Sequence, residues 1–356
     1  MEARLVLEDG SLFKGFSRGA RGEMWGEVVF NTSMTGYQEI LTDPSCCGQI
    51  VIMTFPLIGN YGINDEDYES RRPFLRGFVA RELCTTPNNW RQVMNIGEYL
   101  KENNIVALDG IDTRALARHL RENGTMRGII TTERTPLPTL LERVHKTSAI
   151  CETVFTPEVT TQEPYTWENG GPHIVILDLG LKLSIARSFH NMGCRVTVVP
   201  AFYSAGNIMD LGPAGIVLSN GPGNPEKISG VIQTAGELIG TVPMMGICLG
   251  HQIIALALGA KTYKLKFGHR GTNHPVKDLI NNRVYITTQN HGYAVEENSL
   301  PAGFKVIQRN LNDSTVEGLL ETDKKIITVQ YHPETCSDPP DSGHLFYRFL
   351  KEIDSK

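Results

Sequence analysis

The spacing of apolar residues predicts a parallel sheet in the second half of the chain. Segments 173–178, 195–199, 215–219 and 244–247 are mainly apolar rather than alternating between apolar and polar residues. Strands that are apolar on both faces are typical of a parallel sheet covered by helices on both sides. Later apolar runs, near 283–288 and 305–308, lack long helices between them and predict antiparallel additions at one edge. We therefore expect an α/β fold with a doubly wound, mostly parallel sheet.

The first half has a different, strand-rich pattern. Residues 4–15 form two apolar segments around an Asp-Gly pair, which is a favoured hairpin turn. Apolar runs at 27–32 and 49–54 predict two further strands. Helical periodicity predicts helices over 96–102 and 112–122. This half therefore forms a second, mixed domain.

A segment without hydrophobic periodicity separates the two halves. Residues 156–171 are polar and punctuated by proline and glycine, as is typical of a linker. The chain has 356 residues, enough for two domains that each bury a core. We predict an N-terminal domain over 1–155 and a C-terminal domain over 172–356.

Composition narrows the possible partners and cofactors. A net charge of −5 argues against a surface for nucleic acid or anionic membranes. No apolar run approaches transmembrane length, and acidic residues near the start argue against a secretory signal. Seven cysteines without a C-x-x-C pair fit a reducing compartment, so we expect a cytoplasmic protein. The ten histidines show no metal-ligand spacing, so no metal site is expected.

The residues around Cys248 indicate the chemistry most strongly. A strand pattern ends there and a helical pattern begins, with Gly246 and Gly250 two residues on either side. This is typical of a nucleophile elbow, a sharp turn that exposes the nucleophile at a helix N-terminus. The helix dipole there favours the thiolate. A cysteine in an apolar strand is otherwise usually a core residue, and the flanking glycines favour the nucleophile.

A histidine and a carboxylate follow a later predicted strand. Residues 326–331 are rich in β-branched side chains, and Pro333 ends the strand. Residues two apart in extended backbone point to the same face, so His332 and Glu334 are predicted to lie side by side. One imidazole nitrogen would face the carboxylate and the other a thiol, as in a catalytic triad. Without Cys248, such a pair is more often found at a solvated strand end.

A Gly-Pro-Gly turn after the predicted strand at 214–220 offers oxyanion donors. The turn can present the backbone amide of Gly221 to a developing oxyanion, and the Leu249 amide would be the second donor. An ordinary strand–helix turn explains the same residues when they are considered alone.

Together these motifs resemble the triad-type, class I glutamine amidotransferase domain. Segments 246–252 and 332–334 match its two signature motifs in order and spacing. The resemblance implies Cys248 as nucleophile, His332 as general base and Glu334 as the residue that orients the base. It also implies a γ-glutamyl thioester and release of ammonia to a partner active site.

Two other histidines compete for the role of the base. His251 would lie on the helix just after the elbow, turned away from the thiol by helical geometry. His291 falls in a segment with the pattern of a substrate-side loop. Neither has a carboxylate two residues away.

The first half is similar to the small subunits of carbamoyl-phosphate synthetase, through segments 26–45, 56–62 and 110–114. Other amidotransferases do not share this half, and the resemblance implies a β/β/α N-terminal domain. It also implies a site for L-glutamine and its oxyanion formed by Ser45, Gly221, Gly223, Leu249, Gln252, Asn290, Gly292 and Tyr293. The sequence departs from the family pattern at Asn224, where aspartate is frequent, and at Tyr293, where phenylalanine is common. For Ser45, capping of the preceding turn is the alternative.

The resemblance implies that the chain hydrolyses glutamine and passes ammonia to a large synthetase subunit, as a heterodimer or a multiple of it. No nucleotide-binding glycine loop is present, so this chain needs no cofactor, and ATP and Mg²⁺ are expected on the partner. A glutaminase subunit of another synthetase, a stand-alone thiol hydrolase and a non-catalytic module are the alternatives. Whether the product serves pyrimidine or arginine synthesis stays open, and residues 335–341 receive no role.

Overall fold

The computed structural model of the chain divides into two compact units. The N-terminal unit is Met1–Thr153 and the C-terminal unit is Val154–Lys356. Within them the structure describes residues 1–147, 152–334 and 344–354. The segment 335–341, to which the sequence assigned no role, lies outside the described residues.

Each unit contains both helices and strands. The elements of the N-terminal unit are β1 (Glu2–Leu7), β2 (Leu12–Ser17), β3 (Glu23–Asn31), α1 (Tyr37–Thr42), β4 (Gln49–Met53), β5 (Leu57–Ile58), β6 (Gly77–Val79), β7 (Glu82–Leu83), α2 (Ile96–Glu102), β8 (Val106–Asp109), α3 (Thr113–Asn123), β9 (Met126–Thr131) and α4 (Leu137–Lys146). Those of the C-terminal unit are α5 (Thr156–Val159), β10 (Tyr165–Trp167), β11 (His173–Asp178), α6 (Leu183–Asn191), β12 (Arg195–Pro200), α7 (Ala205–Asp210), β13 (Gly215–Leu218), α8 (Ser229–Leu238), β14 (Met244–Ile247), α9 (Leu249–Ala257), β15 (Thr262–Asp278), β16 (Val284–Val295), β17 (Lys305–Asn310), β18 (Val316–Glu321), β19 (Ile326–Val329) and α10 (His344–Asp354).

Seven strands of the N-terminal unit close into a barrel in the order β1-β2-β8-β6-β4-β3-β9. Pairings among β3, β4, β6 and β8 are parallel, whereas β1, β2 and β9 pair antiparallel. Successive residues of a strand point to opposite sides, and both sides of β4 are buried. Val51 shares a hydrophobic cluster with α1 and α2, and Ile52 shares one with α3. The predicted hairpin is present as β1 and β2, which pair in register.

The C-terminal unit contains a ten-stranded sheet in the order β10-β12-β11-β13-β14-β19-β18-β17-β15-β16. Its five central strands, from β12 to β19, are parallel, and β18, β17, β15 and β16 extend one edge antiparallel. Ile176 packs in one cluster with α6 and α10, while its neighbour Leu177 packs in another with α7, α8 and α9. Helices therefore cover both faces, and the predicted α/β, doubly wound fold is confirmed.

Three segments differ from the sequence-based expectation. The segment predicted as a linker, 156–171, carries α5 and the short strand β10, which pairs antiparallel with β12. The 17-residue strand β15 was not predicted. Residues 288–293 belong to β16 rather than to a loop, because they pair with β15 across the edge of the sheet.

The sheet brings the three predicted motifs together. Strands β13, β14 and β19 are parallel neighbours, so their carboxyl ends lie side by side at one edge. Gly221, Cys248 and His332 follow these three ends, which is where ligands bind in open α/β sheets. Among the described residues, no helix is both long enough and apolar enough to cross a membrane.

Candidate active site

Cys248 occupies a strained turn between β14 and α9. Its φ of 53° and ψ of −102° are unusual for a residue with a side chain, and it is the N-cap residue of α9. Such a conformation costs about 1–3 kcal/mol and persists only when the surrounding fold enforces it. Its amide donates to the Val329 carbonyl at 2.9 Å, which ties the turn to β19. The nucleophile-elbow geometry expected from the sequence is therefore present at a buried thiol.

The glycines on either side of Cys248 are required by close approach. A Cβ atom on Gly246 would lie 2.7 Å from the Gly250 carbonyl group, inside the turn itself. A Cβ on Gly250 would lie 2.1 Å from the Leu218 carbonyl oxygen, where α9 begins against β13. Only glycine lets the helix start this close to the neighbouring strand.

His332 and Glu334 are side by side, although not for the reason expected. The imidazole Nδ1 lies 2.7 Å from Oε1 of Glu334, and both side chains are buried, which excludes a solvated strand end. Strand β19 ends at Val329, and Glu334 lies in a turn rather than in extended backbone. The His332 amide is held instead by the Thr288 carbonyl of β16 at 2.9 Å. The turn therefore places the carboxylate, and strand alternation does not.

A buried lysine that the sequence did not indicate completes this pair. Nζ of Lys182 lies 3.0 Å from Oε1 of Glu334, and the Lys182 amide donates to Oδ1 of Asn220 at 3.0 Å. Lys182 lies between β11 and α6, at the same edge of the sheet. Its only signal in the sequence is a lysine in an apolar segment directly after a parallel strand.

The pKa values of the three groups follow from burial and mutual charge. Burial would raise the pKa of Glu334, but the Lys182 ammonium and the His332 imidazolium lower it to about 2. Burial would lower the pKa of His332, but the Glu334 carboxylate and the neighbouring Cys248 raise it to about 10. At neutral pH the site therefore contains an imidazolium next to the thiol-bearing residue.

The sulfur of Cys248 has two further neighbours. Its Sγ lies 3.8 Å from the Asn290 carbonyl oxygen, to which the thiol donates, and Nε2 of Gln330 donates to the sulfur at 3.7 Å. Gln330 is fully buried and immediately follows β19. Sequence reasoning missed Gln330, whose only signal was a polar side chain within an apolar strand pattern.

The other residues of the predicted glutamine site in this unit lie close to these groups. Gln252 donates from Nε2 to the Tyr293 carbonyl at 2.9 Å, which joins α9 to β16. Asn290 reaches the sulfur through its carbonyl, and Gly292 lies between Asn290 and Tyr293 on the same strand. The structure therefore brings Gln252 and the β16 residues to the elbow.

The two predicted oxyanion donors are also neighbours. A Cβ on Gly221 would lie 2.8 Å from the Leu249 side chain, so the turn after β13 approaches the start of α9. Gly223 in the same turn has a φ of 94°. Among the described residues, no acceptor is found for the amide of Gly221 or Leu249.

Ser45 belongs to the N-terminal unit and is described by its own surroundings. It lies in a short 3₁₀ helix, Pro44–Cys46, and its amide donates to Oδ1 of Asp43 at 2.8 Å. Asp43, rather than Ser45, is therefore the residue that caps this turn.

The competing histidines are engaged elsewhere. Nδ1 of the buried His251 lies 2.7 Å from Oγ1 of Thr328, and burial lowers the pKa of His251 to about 3. Nδ1 of His291 lies 2.7 Å from the Tyr293 carbonyl, and burial together with nearby cations lowers its pKa well below the usual range. Both rings are therefore neutral at physiological pH.

One cluster has the composition of a metal site. Ligand atoms of His269, His291 and Glu317 lie within 4.8 Å of one another, although the residues come from three different strands. His269 already bridges two carboxylates, with Nε2 2.8 Å from Asp313 and Nδ1 3.6 Å from Glu317. Burial would lower the pKa of His269, but these carboxylates raise it to about 9. A protonated His269 thus balances negative charge on the carboxylates next to it.

Comparison with known proteins identifies the class of this site. Residues 175–352 match the model of the family "Glutamine amidotransferase class-I", and residues 5–130 match "Carbamoyl-phosphate synthase small chain, CPSase domain". The C-terminal unit is therefore a class I glutamine amidotransferase domain.

Curated relatives match the chain along nearly its full length. The carbamoyl phosphate synthase small chain of Syntrophotalea carbinolica is 50% identical over 364 residues, covering 98% of this chain and 97% of the relative. That of Clostridium perfringens is 49% identical, covering 99% of each chain. The pyrimidine-specific small chain of Bacillus subtilis is 46% identical, covering 100% of this chain and 97% of the relative. The chain belongs to the carbamoyl phosphate synthase small chain family.

Proposed function

We propose that this chain hydrolyses L-glutamine at Cys248 and supplies ammonia to a large synthase chain for carbamoyl phosphate synthesis. The observation that supports this most directly is the strained elbow of Cys248 next to the buried His332 and Glu334 pair. Family membership supports the reaction class, and it argues against a stand-alone thiol hydrolase and against a different synthetase.

In the first half-reaction, the Cys248 thiolate attacks the carboxamide carbon of glutamine. The negative charge moves to the carbonyl oxygen, for which the Gly221 and Leu249 amides are the proposed donors. Each such donor contributes roughly 10²–10³ in rate. His332 then gives its proton to the leaving nitrogen, the carbon–nitrogen bond breaks, and ammonia departs, leaving a γ-glutamyl thioester.

In the second half-reaction, water replaces ammonia at the same position. Neutral His332 takes a proton from this water, which attacks the thioester carbon. The carbon–sulfur bond breaks, glutamate forms, and the thiolate and imidazolium are restored. Glu334 keeps the imidazole oriented throughout, and Lys182 keeps Glu334 ionised.

The predicted glutamine contacts complete the proposal. Besides the two oxyanion donors, they are Ser45, Gly223, Gln252, Asn290, Gly292 and Tyr293. The hydrogen bond from Gln252 to Tyr293 supports the part of this set that lies in the C-terminal unit. The role of Ser45 stays a prediction, and a raised KM for glutamine in Ser45→Ala is its test.

The small-chain assignment implies a large-chain partner. We propose that this partner binds ATP and Mg²⁺ and uses bicarbonate, while this chain works without a cofactor. Ammonia released to water near neutral pH is mostly protonated and no longer nucleophilic, so transfer within the complex is expected. A cytoplasmic location fits this role.

The proposal is tested by replacing the thiol in the assembled complex. Cys248→Ser is expected to abolish glutamine-dependent carbamoyl phosphate synthesis, because a serine hydroxyl is a much weaker nucleophile here. Synthesis from added ammonia should continue at the wild-type rate. Cys194→Ala, which removes another buried thiol of the same unit, is the matched control and should retain both activities. Equal loss of both activities in an assembled Cys248→Ser complex would contradict the proposal.

A further inference from the structure

A series of hydrogen-bonded side-chain amides leads from β16 to the sulfur of Cys248. Nε2 of Gln252 donates to the Tyr293 carbonyl at 2.9 Å and to Oε1 of Gln330 at 2.9 Å. Nε2 of Gln330 in turn donates to Sγ of Cys248 at 3.7 Å. Gln330 is fully buried, and its own backbone amide is fixed by the Glu317 carbonyl at 2.8 Å.

The orientation of the amides in this series is determined by the Tyr293 carbonyl. The Tyr293 carbonyl can only accept, so the nitrogen of the Gln252 amide must face it. The second N–H of that nitrogen is then directed at Gln330, which must present its oxygen. The nitrogen of Gln330 therefore points at the sulfur, and a reversed Gln330 amide would set two N–H groups against each other.

The sulfur lies between one acceptor and one donor. A thiol at Cys248 can donate to the Asn290 carbonyl at 3.8 Å, whereas a thiolate has nothing to give to that oxygen. The N–H of Gln330 interacts more strongly with a thiolate than with a thiol, because hydrogen bonds to charged acceptors are the stronger ones. Gln330 thus favours the form of Cys248 that attacks carbon.

We propose that Gln330 is a catalytic residue that stabilises the Cys248 thiolate by direct hydrogen bonding. This inference rests on the proposed function, in which Cys248 is the nucleophile. His332 is already an imidazolium at neutral pH, so the proton that the thiol loses passes to solvent. When the carbon–sulfur bond forms, the charge leaves for the carbonyl oxygen, and the Gln330 hydrogen bond weakens. Gln330 therefore increases the fraction of reactive enzyme before attack.

The test is the pH profile of Cys248 alkylation by iodoacetamide in the full-length chain. Peptide mass spectrometry separates Cys248 from the other cysteines. Gln330→Met keeps an unbranched side chain and removes both the oxygen and the nitrogen of the side-chain amide. We expect alkylation at neutral pH to slow by about 10-fold, with half of the maximal rate reached about one pH unit higher. The maximal rate at high pH should be no lower than that of the wild type, since the thiol is then fully ionised and no hydrogen bond from Gln330 has to weaken during attack.

Two further variants separate this role from simple packing. Gln308→Met removes another fully buried glutamine of the same unit, one that hydrogen bonds Asp278 rather than the sulfur, and should leave the profile unchanged. If Gln330→Met does not fold, Gln330→Leu provides the same test, because its side chain is uncharged, similar in size and has no N–H for the sulfur. A wild-type profile in a folded Gln330 variant would overturn the inference.

The proposed function fails in a different way. It predicts that glutamine slows alkylation of Cys248 in the wild-type chain, because the substrate covers the sulfur. Absence of this protection would count against the nucleophile itself. Protection in the wild type together with an unchanged profile in Gln330→Met would refute only the role of Gln330.

Discussion

The ammonium group of Lys182 lies 3.0 Å from the carboxylate of Glu334, and both side chains are buried in the C-terminal unit. The same carboxylate oxygen is 2.7 Å from Nδ1 of His332. Glu334 is therefore held between two cations, and its charge is balanced on both sides. This arrangement explains how a carboxylate and an imidazolium stay ionised in a buried site.

Removal of Lys182 should destabilise the C-terminal unit. Lys182→Met leaves Glu334 buried with one cation fewer, and breaking a buried pair costs about 3–5 kcal/mol in the free energy of unfolding. Urea unfolding followed by hydrogen exchange of C-terminal peptides measures the loss. Glu168→Gln, which breaks the exposed pair with Arg195, is the control and should cost less than about 1 kcal/mol. Equal effects of the two variants would contradict the account.

His332 and Glu334 should differ in their effect on acylation. His332→Asn removes the group that carries the proton and should slow thioester formation by about 10²–10⁴-fold. Glu334→Gln should slow it less, because Glu334 orients the ring and does not transfer the proton. Rapid-quench single-turnover experiments measure both rates. Blocked acylation in His291→Asn with normal acylation in His332→Asn would require the roles to be reassigned.

The bridge from His269 to Asp313 should make stability depend on pH. The pKa of His269 is raised from 6.5 in the unfolded chain to about 9 in the folded protein. The contribution of protonated His269 to the free energy of unfolding is therefore complete below pH 6.5 and disappears as pH rises through about 9. Near this bridge, the pKa of His274 is lowered to about 4 and that of His291 lies well below its usual value, so neither titrates in this window. Glu317 is the other carboxylate next to His269, and burial raises the pKa of Glu317.

His269→Gln should remove this dependence. In the wild type, the free energy of unfolding should fall by up to about 3 kcal/mol between pH 6.5 and 9. Urea midpoints at the two pH values, for wild type and variant, provide the measurement. If the free energy of unfolding depends on pH as strongly in His269→Gln as in the wild type, another group causes the dependence.

The backbone strain at Cys248 should lower the free energy of unfolding. Glycine accepts a positive φ without cost, whereas alanine keeps the strain of the elbow. Cys248→Gly should therefore be more stable than Cys248→Ala by about 1 kcal/mol, the reverse of the usual order of these residues. The two variants remove the same thiol, so urea unfolding of the pair isolates the backbone term. An alanine variant as stable as the glycine variant would argue against strain.

The sequence was sufficient to predict the parts of the site that are local in the chain. The elbow is a strand, a turn and a helix within about ten residues, and His332 and Glu334 are two residues apart. Lys182 and Gln330 could not be predicted in this way. Lys182 meets Glu334 across 152 residues of chain, and Gln330 meets Cys248 across 82. Only the order of strands in the sheet brings them together.

The elements that were missed share a physical cause. Strand β15 is interrupted by register shifts around Gly271, and it includes Pro275, so no alternation of apolar and polar residues reveals it. Strand β10 has three residues and pairs with β12 alone, at the opposite edge of the sheet. Both strands are defined by partners distant in sequence rather than by their own composition.

The central claim is that Cys248 forms a covalent intermediate with glutamine, and acid quenching tests it most directly. The complete complex is mixed with isotopically labelled glutamine, quenched within one turnover and digested for mass spectrometry. We predict a γ-glutamyl group on the peptide that contains Cys248. The Glu334→Gln variant should carry more of this group than the wild type if the substitution slows hydrolysis of the thioester more than its formation. Label on another residue, or none in an enzyme that is turning over glutamine under conditions that preserve thioesters, would contradict the account.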